Sequence, residues 1–180
     1  MLDADGSIRD CYAQVQRWVD DTGIAGLNRR LEEAEAIFRR IGITFAVYGE
    51  GGDPERLIPF DLLPRIFTAA EWRTLDKGIK QRAQALNAFL HDVYHRGEII
   101  RAGIMPGEIV YRNSAYKPEM ANFTPPGRVY SHIVGIDIVR TGPRSFEVLE
   151  DNCRTPSGVS YMLENREIMT RMFPELFAQG

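Results

Sequence analysis

The chain has 180 residues, 44% of them hydrophobic and 26% charged, with a formal net charge of −3. That length suffices for a domain with its own core, and the composition is that of an ordinary globular protein. The slight acidity argues against non-specific binding to nucleic acid, and no apolar run approaches the ~20 residues that cross a bilayer.

Residues 1–30 lack the basic head and apolar stretch of a signal peptide, so the cytoplasm is the default compartment. Cys11 and Cys153 form no metal-type spacing and no disulfide framework. Of the basic residues, nineteen are Arg and only Lys77, Lys80 and Lys117 are Lys. Arginine suits bidentate pairing with carboxylates and phosphates, although a GC-rich coding bias would give the same excess.

In chain order, the first periodic segment is 26–41. Leu27, Leu31, Ala34, Ile37, Phe38 and Ile41 share one helical stripe, and Gly42 can end the helix. Residues 43–49 (ITFAVYG) are β-branched and aromatic, which predicts a strand, followed by a Gly-rich loop over 50–54. The longest helical pattern is 69–95, with Trp72, Leu75, Ile79, Ala83, Leu86, Phe89, Leu90 and Val93 at spacings of three and four. Thr68 is a candidate N-cap, with Glu71 three residues on. A short helix follows over 96–102, then a polar, Pro-rich loop over 113–128. Residues 129–140 predict a long strand, 141–145 (TGPRS) a turn, and 146–151 (FEVLED) the returning strand. A last helix is expected over 159–173, with Pro174 near its end. No linker divides the chain, so a single domain over 1–180 is expected, of the α+β class with helices packed on an antiparallel sheet.

The hairpin carries the chemistry. With its turn centred between Pro143 and Arg144, Val139 faces Val148, Ile138 faces Leu149, Arg140 faces Glu147 and Asp137 faces Glu150. Like charges directly opposed on a sheet destabilise it unless something sits between them, and a divalent cation would do so. Asn152, two residues past Glu150, projects from the same face. Two carboxylates and an amide oxygen are hard donors that suit Mg²⁺. A one-residue slip, or a bulge near Gly142, would instead leave two solvated acids. Hairpin geometry alone leaves both readings open.

The run 150–158 (EDNCRTPSG) resembles a metal-binding signature of ATP-grasp ligases: an acid on one strand, then E-x-N on the next and a loop rich in Thr, Pro and Gly. Together with LIPFDLLPRI (57–66), LNAFLHDVYH (86–95), YKPEM (116–120) and the continuation to Arg166, it resembles circularly permuted ATP-grasp proteins of type 2 related to glutathionylspermidine synthase. The resemblance spans nearly the whole chain and is most specific in its last stretch. It implies a partial circularly permuted ATP-grasp fold and an ATP- and Mg²⁺-dependent carboxylate–amine ligase acting through an acyl phosphate. It implies Asp137, Glu150 and Asn152 as Mg²⁺ ligands, with Glu150 bridging two ions. Arg154 would contact a phosphate or the acyl phosphate, and Ser157 and Gly158, at the start of a helix, would help hold the nucleotide. Bland readings stand beside these: a salt bridge from Arg154 to Asp151 or Glu164, and ordinary capping by Ser157.

The family also needs lysines on a nucleotide-binding subdomain that follows the metal hairpin. This sequence reaches Gly180 without them; Lys77 and Lys80 read as the solvated face of the long helix, Lys80 pairing with Asp76. Gly49–Gly52 lacks the Lys and helix of a phosphate loop. The expectation is therefore the N-terminal, metal-binding part of the family unit, incomplete and inactive alone, with a separate chain as one source of the missing subdomain. Small-molecule carboxylate and amine substrates are implied, and neither nucleic acid nor membrane. The alternative is a non-catalytic binding or assembly module derived from such an enzyme.

Three decoys are set aside. His91 and His95 have the spacing of a zinc helix but no evident third ligand. Cys153 has no neighbouring His to activate it. Residues 3–8 (DADGSI) imitate a calcium loop, but Tyr12 stands where its bidentate Glu belongs, so a turn is expected.

Overall fold

The computed structural model describes residues 1–42, 44–45, 56–57, 60–143 and 145–178. The chain divides into two compact units, Met1–Thr68 with Ser157–Gly180, and Ala69–Pro156.

The first unit is built on α1 (Ala13–Ile41), α5 (Gly158–Met172) and the short α6 (Pro174–Phe177), with the antiparallel pair β1 (Thr44–Phe45) and β2 (Arg56–Leu57). The helix expected from residue 26 begins thirteen residues earlier. A break at Gly23, with φ +66° and ψ 167°, separates its two segments; only glycine takes that backbone freely. Gly42 ends α1 in the left-handed region, its N–H bonded to the Phe38 and Arg39 carbonyls, as the sequence predicts. Most of the predicted stripe is buried: Ala34 and Phe38 fully so, with Leu27 and Ile37 packed beside them, while Ile41 at its end is 46% exposed. They meet Trp18 from the first segment and Ile168, Met169, Met172 and Phe173 from the C-terminal helices. Trp18 stacks edge-on against Phe173 at 4.9 Å and donates its indole N–H to Glu175 at 2.6 Å. Arg30 lies over both rings, pairs with Glu175 at 3.3 Å and donates to the Met172 carbonyl. Of the strand predicted over 43–49, only Thr44–Phe45 falls among the described residues, and the loop over 50–54 lies outside them.

The N-terminal segment is a turn closed by a bridge between Leu2 and Ile8. Asp5 accepts from the Ser7 N–H at 2.9 Å, so its carboxylate is spent locally rather than in a calcium loop.

The second unit is organised by α2 (Ala69–Tyr94), one residue shorter than predicted. Leu75, Val93 and Tyr94 are buried, but Trp72 is 55% exposed: packing along this stripe begins at Leu75, and the first turn projects past it. Asp76 and Lys80 pair at 2.8 Å on the solvated face. Asp92 accepts from the N–H groups of Glu98 and Ile99 at 2.8 and 2.9 Å and so caps α3 (Glu98–Arg101). Those two bonds hold its carboxyl below the ordinary range. A further helix, α4 (Gly107–Tyr111), is too short to show a period in the sequence. It supplies Val110 to a cluster with Val93 and Tyr94, against which Tyr116, Met120 and Tyr130 pack. The loop over 113–128 is tied down: Asn122 N–H donates to the Tyr94 carbonyl at 2.7 Å, and Lys117 N–H to the Tyr94 hydroxyl at 3.1 Å.

The unit ends in the antiparallel hairpin β3 (Gly135–Gly142) and β4 (Ser145–Asn152). Helices beside small antiparallel sheets bear out the α+β expectation. No helix among the described residues is long and apolar enough to cross a membrane.

Candidate metal centre

β3 starts six residues later than the sequence suggests, and the cause is Asn87 on α2. Its side-chain oxygen accepts from both Tyr130 N–H, at 2.7 Å, and Ser131 N–H, at 3.0 Å. Its amide nitrogen donates back to Ala83 O at 3.0 Å and Ser131 O at 3.4 Å. Backbone donors spent on a helix side chain cannot join a ladder. Ser131, 8% exposed, in turn donates its hydroxyl to the Cys153 carbonyl at 2.7 Å. The approach to β3 and the exit from β4 are thereby pinned to each other and to α2. Asn87 and Ser131 escape sequence reading, although an Asn between Leu86 and Phe89 in a helical stripe is a visible irregularity.

Between these anchors the register places Gly135 opposite Asn152, Ile136 opposite Asp151 and Asp137 opposite Glu150. The pairing of the two acids is as expected. Beyond it the prediction fails by one residue as far as Arg140: Ile138 pairs with Val148, Val139 with Glu147 and Arg140 with Phe146, because a bulge leaves Leu149 unpaired; a second irregularity between Arg140 and Gly142 restores the expected register, with Gly142 opposite Ser145. The bulge keeps Ile136, Ile138, Phe146 and Val148 around a cavity of about 280 Å³ shared with Leu75 and Ile79 of α2. Two ion pairs fasten the same face. Arg82 donates from Nε to both Asp151 oxygens, at 2.7 and 2.9 Å, and Arg140 meets Glu71 at 2.6 Å. The Arg82 guanidinium holds the Asp151 carboxyl below its ordinary value, against the smaller opposing effect of burial.

The opposite face presents Asp137 and Glu150, both exposed, with Asn152 half-buried beside them. Asn152 donates from Nδ2 to Glu150 Oε1 at 3.0 Å. Gly135 leaves no room to spare there: a Cβ on it would stand 3.0 Å from Pro156 Cβ and 3.3 Å from Asn152 Cβ. Glycine thus lets Asn152 sit close against β3. Among the described residues no three His, Cys, Asp or Glu side chains gather into a metal-binding group. The hairpin's donor set reaches three only through the Asn152 amide oxygen, which makes it an all-oxygen, incomplete shell of the kind magnesium shares with water and phosphate.

Arg154 is exposed and makes no ion pair among the described residues; Asp151 pairs with Arg82. Ser157 stands at the N-cap of α5 without a capping bond from its side chain, and Gly158 is the first helical residue. These two belong to the first unit, whereas Asp137, Glu150, Asn152 and Arg154 belong to the second.

The decoys are engaged elsewhere. The His91 and His95 rings stack at 4.1 Å. Tyr130 donates to the Phe123 carbonyl at 3.1 Å, so its oxygen accepts from His91 Nδ1–H at 3.0 Å. His95 spends Nδ1 on the His91 carbonyl and Nε2 on Thr124. Burial, then the charges of His95 and Arg128, push His91 below its usual value. Burial and the nearby Asp151 push the Cys153 thiol up, away from the reactive thiolate.

Residues 64–180 match the model of the family described as circularly permuted ATP-grasp type 2, and the chain belongs to that family, whose members generally use ATP and Mg²⁺. It is 42% identical over 174 residues to an uncharacterized protein of Synechocystis, covering 97% of this chain and 36% of that protein. It is 40% identical over 178 residues to an uncharacterized protein of Mycobacterium tuberculosis, covering 99% of this chain and 32% of the relative. A protein of Frankia alni named "putative glutamate–cysteine ligase" is 40% identical over 179 residues, 98% of this chain and 20% of its own length. The chain thus spans about a third or less of the curated relatives it matches.

Proposed function

We propose that this chain is the metal-binding part of an ATP- and Mg²⁺-dependent carboxylate–amine ligase. The observation that carries the reading is the register of β3 and β4: in a chain of the ATP-grasp family, it sets Asp137 opposite Glu150 with Asn152 on the same face. These three would hold Mg²⁺, and Glu150 would serve two ions as the resemblance implies; Mg²⁺ would supply neutralisation of phosphate charge. Asn152 would turn its amide oxygen outward, exchanging its bond to Glu150 for the cation. Arg154, exposed and in no ion pair among the described residues, would meet the transferred phosphate or the acyl phosphate. Ser157 and the first N–H groups of α5, free of a side-chain cap, would hold a nucleotide phosphate. The sequence resemblance to glutathionylspermidine synthase-like proteins supports this class of reaction, a small-molecule acid joined to an amine, and the Frankia relative's printed name fits the same class.

The 180 residues hold acidic oxygens but no lysine beside them, so alone they would bind divalent metal weakly and would not ligate; the lysine-bearing subdomain would come from further sequence or a separate chain. Calorimetric titration tests this. We expect weak Mg²⁺ binding that Glu150→Gln reduces by about tenfold or more, and no micromolar affinity for MgATP. Equal Mg²⁺ affinity in Glu150→Gln would remove the metal centre, and ATP turnover by the chain alone would refute its incompleteness. A second reading, an assembly module without catalysis, draws on the exposed apolar side chains of the hairpin: Leu149 is 71% exposed, and Val139 is more than a third exposed. Ligation restored by adding the lysine-bearing subdomain would exclude it.

A further inference from the structure

Of the three oxygen donors on the hairpin, Asp137 and Glu150 face each other inside the β3–β4 ladder, whereas Asn152 occupies its last rung, opposite Gly135. The end of a two-stranded ladder frays at little cost, so the ladder alone aims the first two side chains better than the third. The residues on either side of Asn152 supply what the ladder lacks. Asp151 is held by Arg82 at 2.7 Å. Cys153 accepts at its carbonyl from the Ser131 hydroxyl at 2.7 Å, and Ser131 is itself fixed at both backbone groups by Asn87. Arg82 and Asn87 stand within a turn and a half of each other on α2. One helix therefore holds β4 just before the donor directly, and just after it through Ser131.

The Ser131 hydroxyl has a second carbonyl in reach, that of Ile133 at 3.2 Å. It carries a single proton, and the shorter bond to Cys153 is the one that joins the approach of β3 to the exit of β4. Ser131 is 8% exposed, so water does not readily replace that bond.

We propose that Ser131 is a positioning residue for the metal centre, fixing the backbone at Cys153 so that Asn152 stands ready as the third donor. The proposal rests on the reading of Asp137, Glu150 and Asn152 as Mg²⁺ ligands. With the main chain held on both sides, the Asn152 amide reaches a cation by turning about its side-chain bonds alone, away from the Glu150 oxygen it meets at 3.0 Å. Without the bond to Cys153, ordering the end of the strand becomes part of the cost of binding. A merely structural Ser131 would change stability and leave the metal affinity of folded molecules as it was.

The test is a double-mutant cycle on the 180-residue chain: parent, Ser131→Ala, Asn152→Ala and the pair, each titrated with MgCl₂ and followed by backbone amide NMR shifts. Circular dichroism establishes that each variant is folded. Ser131→Ala and Asn152→Ala should each weaken Mg²⁺ binding by about tenfold. In the Asn152→Ala background, Ser131→Ala should change affinity by less than about twofold. Ser131→Thr, which keeps the hydroxyl, should retain most of the affinity that Ser131→Ala loses. Should Ser131→Ala not fold, Ser131→Cys, of similar shape with a weak donor, takes its place in the cycle. Unchanged affinity in Ser131→Ala beside a weakened Asn152→Ala, or equal losses with and without Asn152, would overturn the positioning role alone. Unchanged affinity in Asn152→Ala would overturn it as well; if Glu150→Gln is then also unchanged, the metal reading itself has failed.

Discussion

Replacing Asn87 by Leu asks how much of the hairpin's position rests on one helix side chain. Leu keeps the branching of Asn at Cγ but is bulkier, so the change removes the hydrogen bonds and adds some crowding. It orphans the N–H groups of Tyr130 and Ser131, now bonded at 2.7 and 3.0 Å. Ser131 is buried and Tyr130 half-buried, so water compensates only in part. A buried donor left unpaired costs about 1–3 kcal/mol. Discounting Tyr130 for its exposure, the sum is about 2–4 kcal/mol, or roughly 4–16 °C in melting temperature for a chain of this size. Asn87→Asp keeps the acceptor but turns a carboxylate oxygen toward the Ala83 and Ser131 carbonyls, so it should cost about 1–3 kcal/mol while leaving the Tyr130 and Ser131 N–H groups bonded. Urea titration monitored by circular dichroism reads the midpoint, and hydrogen exchange at Tyr130 and Ser131 locates the effect. A Leu variant within about 0.5 kcal/mol of the parent, with unchanged exchange at those amides, would show that Asn87 does not hold the strand's approach.

Gly135→Ala should push Asn152 away from β3, since the Pro156 ring on the other side cannot yield; a loss of about 1–2 kcal/mol and weaker Mg²⁺ binding are expected by denaturation and calorimetry. The Arg82–Asp151 bridge should open in acid. Because the folded carboxyl is held below its unfolded value, its contribution is present above the unfolded pKa near ~4 and is lost as pH falls through the lowered one. Carboxyl NMR should show that low titration point moving up in Arg82→Gln; an unmoved titration would contradict the assignment. Cys153, with its thiol pushed up by burial, should alkylate with iodoacetamide at pH 8 more slowly than N-acetylcysteine, and a faster rate would reverse the account of it as inert.

What could be read from the sequence was periodic or local. The stripes over 26–41 and along α2 repeat over several turns, and Gly42 ends α1 for a reason visible in one residue. The Asp137–Glu150 pair followed from a turn position and a count. What could not be read depends on partners remote in sequence. Arg82 reaches Asp151 across 69 positions, and Asn87 reaches Tyr130 across 43. The bulge at Leu149 answers to the packing of Ile138 and Val148 against α2, which no hairpin rule contains. The break at Gly23 hid the first half of α1 because the apolar stripe does not run smoothly through it.

The unpaired Leu149 also separates the hairpin into two segments with independent tolerance to length change. Between it and the tip, residues can be gained or lost in pairs by moving the turn, and the acids at the root keep their places. Deleting Leu149 would set Val148 beside Glu150 and close the ladder in place, with Asp137 still opposite Glu150 and Asn152 still on the same face. One residue added between Glu150 and Asn152 would instead send those two side chains to opposite faces of β4. Length can therefore change at the bulge, but not within the short run that bears the donors.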